Sequence, residues 1–239
     1  MNNSSESFPS VPSTSPASPS ATQPTPQIAA VVSRMFGQNT YVAWWPGRAD
    51  CLVDDPGFDS DKLFAFLEER QLTPAAILIT HGHVDHIAGN HAVKQRWPDC
   101  PLVIGRGDAD KLTDPMKNLS GLYDYNIVSP PADKLLDQGD VYSAAGFRLE
   151  VRDVPGHSSG HIVFVCLDIR PAIVFGGDVL FSGSVGRTDF PGGDFDQLHR
   201  AIHSQLFTLP DDTVVLPGHG GHTTIGIEKR QNPYVGLGR

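Results

Sequence analysis

Cysteine is scarce in this chain of 239 residues: only Cys51, Cys100 and Cys166 occur, an odd number and widely separated. That spacing excludes a disulfide framework and a thiolate zinc site, and it fits a reducing, cytoplasmic compartment. Cys166 lies in the apolar run Ile162–Leu167, where a thiol serves as a small hydrophobe, and no chemistry is assigned to any of the three. Positive charge is also thin. Eighteen Lys and Arg face 27 Asp and Glu, for a net charge of -9, with no basic run. A nucleic-acid partner is therefore not expected, because such binding draws its affinity from clustered Lys and Arg. Long apolar runs are missing too. Ile162–Leu167 soon meets Asp168 and Arg170, far short of the roughly 18 residues of a membrane span, so no membrane partner is expected.

The first residues lack a secretory signal. Met1 to about Gln27 is mostly Ser, Pro, Thr, Asn, Gln and Ala, without a basic start or an apolar block of roughly 7 to 15 residues. Such a segment buries too little surface to offset its ordering entropy, so 1–27 is expected to be a disordered tail. Residues 28–239 then form one globular domain.

Beyond the tail, short β-rich runs alternate with helical stretches. Ile28 to Val32, Thr40 to Trp45 and Cys51 to Asp54 read as a meander of strands, the last ending in the turn Asp55–Pro56–Gly57. Asp61 to Arg70 carries Leu63, Phe64, Phe66 and Leu67 at helical spacing, and Ala75 to Ile79 reads as a buried strand that runs directly into Thr80–His86. Further strands are expected at Leu102 to Ile104, Phe147 to Val154, Ile162 to Leu167, Ala172 to Phe175 and Thr213 to Leu216. Helices are expected at Ile87 to Arg96 and Asp196 to Leu206. No fixed-period repeat is present, and the mixture suggests two packed sheets with helices on their outer faces.

The chemistry concentrates at strand ends. His81, His83, Asp85 and His86 place three imidazoles and a carboxylate within six residues. Imidazole with carboxylate and no thiolate suits catalytic zinc, iron or manganese. Side chains alternate along an extended loop, so His81 and His83 can address one position while Asp85 and His86 address another. Three further candidates follow β-rich runs and sit beside glycine: His157, Asp178 and His219. Singly each would pass as a loop residue; together they describe donors gathered on one rim. His161 and His222 lie near these loops and are candidates to support the donors. His91, His199 and His203 read as structural or solvent-facing.

These residues resemble the metallo-β-lactamase superfamily, whose His-x-His-x-Asp-His signature stands here as His81 to His86, followed by separate His, Asp and His residues. Within it the chain looks most like glyoxalase II, or hydroxyacylglutathione hydrolase, in short forms without the C-terminal helical domain. The likeness is carried by Thr80 to Asn90, Gly177 to Phe181, Gly186–Arg187–Thr188–Asp189 and Pro217–Gly218–His219. The resemblance implies a four-layer αββα sandwich. It implies two divalent metal ions, zinc first with iron or manganese as alternatives, one on His81, His83 and His157 and the other on Asp85, His86 and His219. Asp178 would bridge them, with Asp85 and Asp178 as the catalytic carboxylates. The implied reaction is hydrolysis of a small-molecule thioester such as S-lactoylglutathione by a hydroxide held between the metals. Where glyoxalase II has a Lys that binds glutathione, the stretch Ser184 to Arg187 offers Arg187, either as a carboxylate clamp or in a structural ion pair. The rival reading is a persulfide dioxygenase of the same superfamily, with one iron on His81, His157 and Asp178.

Overall fold

Strands that are apolar on every residue need cover on both faces, and this chain supplies it in layers. A computed structural model of the chain describes residues 25–238. Most of the expected tail, 1–24, lies outside them, and Gln27 already belongs to the first strand. The first sheet runs in the order β1 (Gln27–Val32), β2 (Asn39–Trp44), β3 (Asp50–Asp54), β4 (Thr73–Ile79), β5 (Leu102–Gly105) and β6 (Lys134–Leu136). Its first three strands form the expected antiparallel meander, and β3 to β6 pair in parallel. The outer face carries α1 (Ser60–Arg70), α2 (Val84–Ile87) and α3 (Asn90–Arg96).

The second sheet is built from β7 (Val141–Ala144), β8 (Phe147–Asp153), β9 (Ile162–Cys166), β10 (Ile173–Gly177), β13 (Val214–Pro217) and β14 (Thr223–Thr224), in the order β14-β13-β10-β9-β8-β7. A small hairpin of β11 (Leu180–Phe181) and β12 (Ser184–Val185) stands apart. Outside the sheet lie α4 (Phe195–Ala201), continuing as a π-helical turn through Ile202–Leu206, and α5 (Ile225–Gln231). Among the described residues no helix is long and apolar enough to cross a membrane.

Alternation along each strand sends neighbours to different cores. Leu52, Leu78, Phe164 and Phe175 meet between the sheets. Val53, Ile77 and Ile79 point outward onto Leu63, Leu67 and Val93 of the helices. Val163, Val165 and Val174 do the same against Leu198, Ile202 and Leu206. The result is the expected αββα sandwich. All three cysteines are buried and free, and burial pushes the Cys51 thiol up to about 12.

Three local differences from the sequence expectations bear on function. The helix expected from Ile87 begins at Val84 and breaks at Ala88–Gly89, where the Gly89 N–H donates to Pro56 O at 2.8 Å. Only His81–Gly82–His83 is therefore extended; Asp85 and His86 ride a helical turn rather than an alternating loop. The strand expected at Ala172 to Phe175 runs on to Gly177, with a bulge that lets Gly177 pair beside Pro217. Edge strands β6 and β7 and helix α5 lie outside the sequence expectations. Their half-exposed or mixed residues, such as Lys134, Val141 and the buried Glu228, give little periodic signal.

At one end the sheets are tied directly. Ile162 N–H donates to Thr80 O at 2.9 Å and Asn39 N–H to Gly218 O at 2.7 Å, while Gly218 N–H donates to Gly177 O at 2.8 Å within the second sheet. Truncating Phe164, which has no exposed surface, should cost about 3–5 kcal/mol. Urea unfolding of Phe164→Ala checks this, and a loss below about 1 kcal/mol would contradict the tight inter-sheet layer.

Candidate metal centre

The carboxyl ends of β3, β4, β10 and β13 and the loop between β8 and β9 all open on that tied end, and every donor singled out in the sequence lies there. His81 and His83 follow β4, and His157 follows β8. Their inward nitrogens form a triangle: His81 Nε2 to His83 Nδ1 3.1 Å, His83 Nδ1 to His157 Nε2 2.9 Å, and His157 Nε2 to His81 Nε2 3.2 Å. Three nitrogens cannot all satisfy one another with protons. The edge of a tetrahedral zinc site with bonds of 2.0–2.1 Å is about 3.3 Å, close to these separations.

The second group is Asp85 and His86 on α2 with His219 after β13. His219 Nε2 stands 3.2 Å from Asp85 Oδ2, and His86 Nε2 3.8 Å from it. Asp178 lies between the groups. Its Oδ2 is 3.6 Å from His157 Nε2 and 3.4 Å from His219 Nε2, while its Oδ1 is 3.4 Å from His86 Nε2. His86 Nε2 and Asp178 Oδ1 are both buried without a hydrogen-bond partner, the condition expected of donors that would face a cation. A side chain at Gly218 would collide with Asp178 Oδ1 and His86, which explains glycine there.

Four of the five imidazoles are aimed by their other nitrogen. His86 Nδ1–H donates to Asp55 Oδ2 at 2.8 Å, His157 Nδ1–H to Arg187 O at 2.7 Å and His219 Nδ1–H to Phe36 O at 3.1 Å. His81 Nδ1–H donates to Thr80 Oγ1 at 3.1 Å, and that hydroxyl donates to Asp55 Oδ2 at 2.6 Å. These contacts fix the tautomers that leave lone pairs pointing inward. Asp55 and the pair His81 and His86 also lie close enough to make a third donor group, but the Asp55 oxygens are already taken by Thr80 and His86.

Charge divides the two groups. Burial pushes His81 well down, His157 down and His83 to about 3, so that trio is neutral. Burial also opposes charge on His86 and His219, yet carboxylates outweigh it. Asp178, Asp85 and Asp55 hold His86 well above its ordinary value, and bonds to Asp178 and Asp85 raise His219 to about 9. Burial opposes ionisation of Asp178, but the His86 charge overcomes it and holds the carboxyl well below its usual range.

Supporting residues are less visible in the sequence. Asp55 reads there only as part of a turn, and Asp108 carries no signal of its own. Asp108 is fully buried and accepts from Gly82 N at 2.9 Å and Gly160 N at 2.7 Å, so one carboxylate ties the His81–His83 loop to the His157–His161 loop. It also accepts from Lys111 Nζ at 2.7 Å and from Ser158 Oγ, which in turn contacts Lys111. His161 joins the support: its Nε2 accepts from Asp178 N–H at 3.0 Å and its ring stacks on His81 at 4.6 Å. His91 and His222 are exposed. His199 and His203 stack on each other at 4.2 Å, and His203 donates to Val235 O at 2.8 Å, away from the centre.

Comparison with known proteins agrees with this geometry. A family model described as the metallo-beta-lactamase superfamily matches residues 34–219. The chain belongs to the metallo-β-lactamase superfamily. The probable metallo-hydrolase YqgX of Bacillus subtilis is 39% identical over 186 residues, 77% of this chain and 87% of that one. Hydroxyacylglutathione hydrolase GloC of Haemophilus influenzae is 36% identical over 203 residues, 84% and 93% of the two chains. Among solved structures, the BLEG-1 B3 metallo-beta-lactamase matches with a TM-score of 0.83 at 36% identity, covering 87% of this chain and 99% of its own. TTHA1623 in a di-iron-bound form gives 0.75 at 33%, covering 86% and 99%. ETHE1 from Myxococcus xanthus gives 0.69 at 28%, covering 87% and 84%.

As in any member of this superfamily, the donors need a substrate space beside them. A cavity of about 380 Å³ opens over His83, Asp85, His157, Asp178 and His219. Phe36, Leu119, Tyr123, Phe181, Val185 and Phe190 form most of its wall. Arg187 is on the wall as well. Its guanidinium forks onto both oxygens of Asp189 at 2.7 Å and lies 3.9 Å over the Phe190 ring.

Asp108→Ala should destabilise the metal-free superfamily fold by about 3–5 kcal/mol, because Lys111 is left buried without its partner. Asp108→Ala with Lys111→Met should recover part of that loss. Burial opposes ionisation of Asp108, but Lys111 outweighs it and holds the folded carboxyl below its usual value. Its contribution is therefore present above the unfolded value of ~3.9 and lost as pH falls through the folded one. Urea titrations at stepped pH should show the wild-type advantage narrowing below about pH 4; an advantage unchanged down to about pH 2 would contradict this role.

Proposed function

We propose that the chain is a metal-dependent thioester hydrolase acting on S-lactoylglutathione or another hydroxyacyl thioester. The observation that carries the reading is Asp178, whose carboxylate reaches both the His157 side and the His86 and His219 side. That bridge makes one two-centre site of two donor groups. His81, His83 and His157 would hold one divalent cation, Asp85, His86 and His219 a second, and Asp178 both. Zinc is the first expectation, with iron or manganese as alternatives. Bound there, such cations supply Lewis acidity that lowers the pKa of a coordinated water from ~15.7 to about 7 and polarises a carbonyl.

The chain's own residues do the rest. Phe36, Leu119 and Phe190 shape an apolar enclosure that limits competing water at the carbonyl. The neutral trio accepts a cation without first losing protons, whereas His86 and His219 must release theirs. Asp85 and Asp178 provide the ionised carboxylates, held in that form by the neighbouring histidines. A thioester releases a thiolate whose conjugate acid has a pKa of about 8.5, so the site needs no dedicated general acid for it. The relationship to GloC supports the thioester class.

A second reading is an iron-dependent persulfide dioxygenase on His81, His157 and Asp178. It is favoured by the closeness of His157 to both His81 and Asp178. It leaves Asp85, His86 and His219 without a cation, which is why the hydrolase comes first. Metal analysis of protein purified without added metal, together with thiol release from S-lactoylglutathione and a thioester panel, separates the two. Two metal equivalents, thioester turnover and a loss of about 10²–10³ in kcat for Asp178→Ala are expected. One iron per chain with persulfide-dependent oxygen uptake and no thioester turnover would overturn the hydrolase.

A further inference from the structure

Two bulky residues in the pocket wall adopt a backbone conformation that L side chains avoid. Phe36 has φ 66° and Leu119 has φ 71°. Such a conformation costs a non-glycine residue about 1–2 kcal/mol and persists where surrounding contacts enforce it. Both are enforced from the donor loops themselves. The Phe36 carbonyl accepts from His219 Nδ1–H, and the Ser33 N–H closes the same turn on Gln38 O at 2.8 Å. Beside Leu119, the Asn118 carbonyl accepts from Val84 N–H at 2.9 Å, and Asn118 Oδ1 accepts from Ser120 N–H at 3.0 Å. Glycine would fill either position without strain, as Gly37 does next door at φ 65°. The side chains that stand there instead are apolar, and both line the cavity. Phe36 leaves half its surface uncovered, and so does Tyr123, which lines the same cavity.

The charges on the wall point the same way. Among the described residues, Arg187 is the sole Lys or Arg lining the cavity, and Asp189 holds its guanidinium on both oxygens. A glutathione thioester would bring two carboxylates, and no unpaired Lys or Arg among the described residues lines this cavity to receive them.

We infer that, among thioesters, this site selects those whose arms are uncharged and apolar, with Phe36 and Leu119 as specificity-determining contacts. The inference rests on the thioesterase reading. In the reaction a water oxygen bonds to the acyl carbon as the C–S bond breaks. The electron pair leaves with sulfur, which takes up the proton released by the water.

The test uses metal-replete protein and compares kcat/KM for the phenylacetyl thioester of N-acetylcysteamine, uncharged on both arms, with that for S-lactoylglutathione. The neutral substrate should be preferred by about tenfold or more. Phe36→Gly keeps the left-handed turn without strain, so metal content should hold. It should cut the preference for the neutral thioester over S-lactoylglutathione about tenfold, mainly through the KM of the neutral substrate. Asp189→Asn frees the guanidinium and should raise kcat/KM for S-lactoylglutathione severalfold. A preference for S-lactoylglutathione, with Phe36→Gly lowering both substrates equally, would overturn the inference and leave the thioesterase standing. No turnover of any thioester by the fully loaded protein would overturn the thioesterase reading and the inference with it.

Discussion

Inward-facing lone pairs that cannot satisfy one another are the constraint around which this molecule is arranged. His81, His86, His157 and His219 each give their outward nitrogen to an acceptor, from Thr80, Asp55, Arg187 and Phe36 respectively. What remains inside is a set of donor nitrogens and carboxylate oxygens at separations of roughly 3 to 4 Å. In the absence of a cation these groups repel or must borrow protons, so the surrounding fold has to hold them together by other means. It does so with a double sheet whose inner layer is largely apolar and whose site end is closed by backbone bonds between the sheets. Asp108 adds a buried anchor that fastens two donor loops to each other.

The pairing of strands explains how distant residues arrive together. Parallel pairing of β10 with β13 sets Gly177 beside Pro217, so Asp178 and His219 leave adjacent strands at the same height. Parallel pairing of β3 with β4 does the same for Asp55 and Thr80. Gly177, at φ 47° and pressed against Thr80 and His161, lets the first sheet and the bridging carboxylate approach. Each donor is thus aimed by a strand rather than by its loop alone.

The sandwich and its donors were legible in the sequence because they rest on local patterns. Apolar runs ending in His81, His157, Asp178 or His219 announce buried strands feeding a rim, and the resemblance supplied the pairing of sheets. Asp108 was illegible because its role exists only in three dimensions: its partners Gly82, Lys111, Ser158 and Gly160 are spread over nearly eighty positions. The break at Gly89 was hidden for a similar reason. It answers to a backbone contact with Pro56, thirty-odd residues earlier, and no propensity in Asn90 to Arg96 reveals it. The left-handed turns at Phe36 and Leu119 run against propensity and could not be read from it.

Donor geometry of this kind does not choose a substrate. The chain is 36% identical both to a hydroxyacylglutathione hydrolase and to a B3 metallo-beta-lactamase of known structure. Proteins so named need different partners for their substrates, so discrimination has to come from what surrounds the donors. In this chain the surroundings are three separate pieces: the turn bearing Phe36, the segment bearing Leu119 and Tyr123, and the stretch from Phe181 to Phe190. None belongs to the central strands of either sheet, so each can vary without disturbing the inter-sheet core. Each is nevertheless bonded to a donor loop, through Phe36 O, Asn118 O and Arg187 O. Backbone carbonyls carry all three links, so side-chain identity can change while the aim is kept. That separation lets one metal-binding frame serve pockets of unlike chemistry.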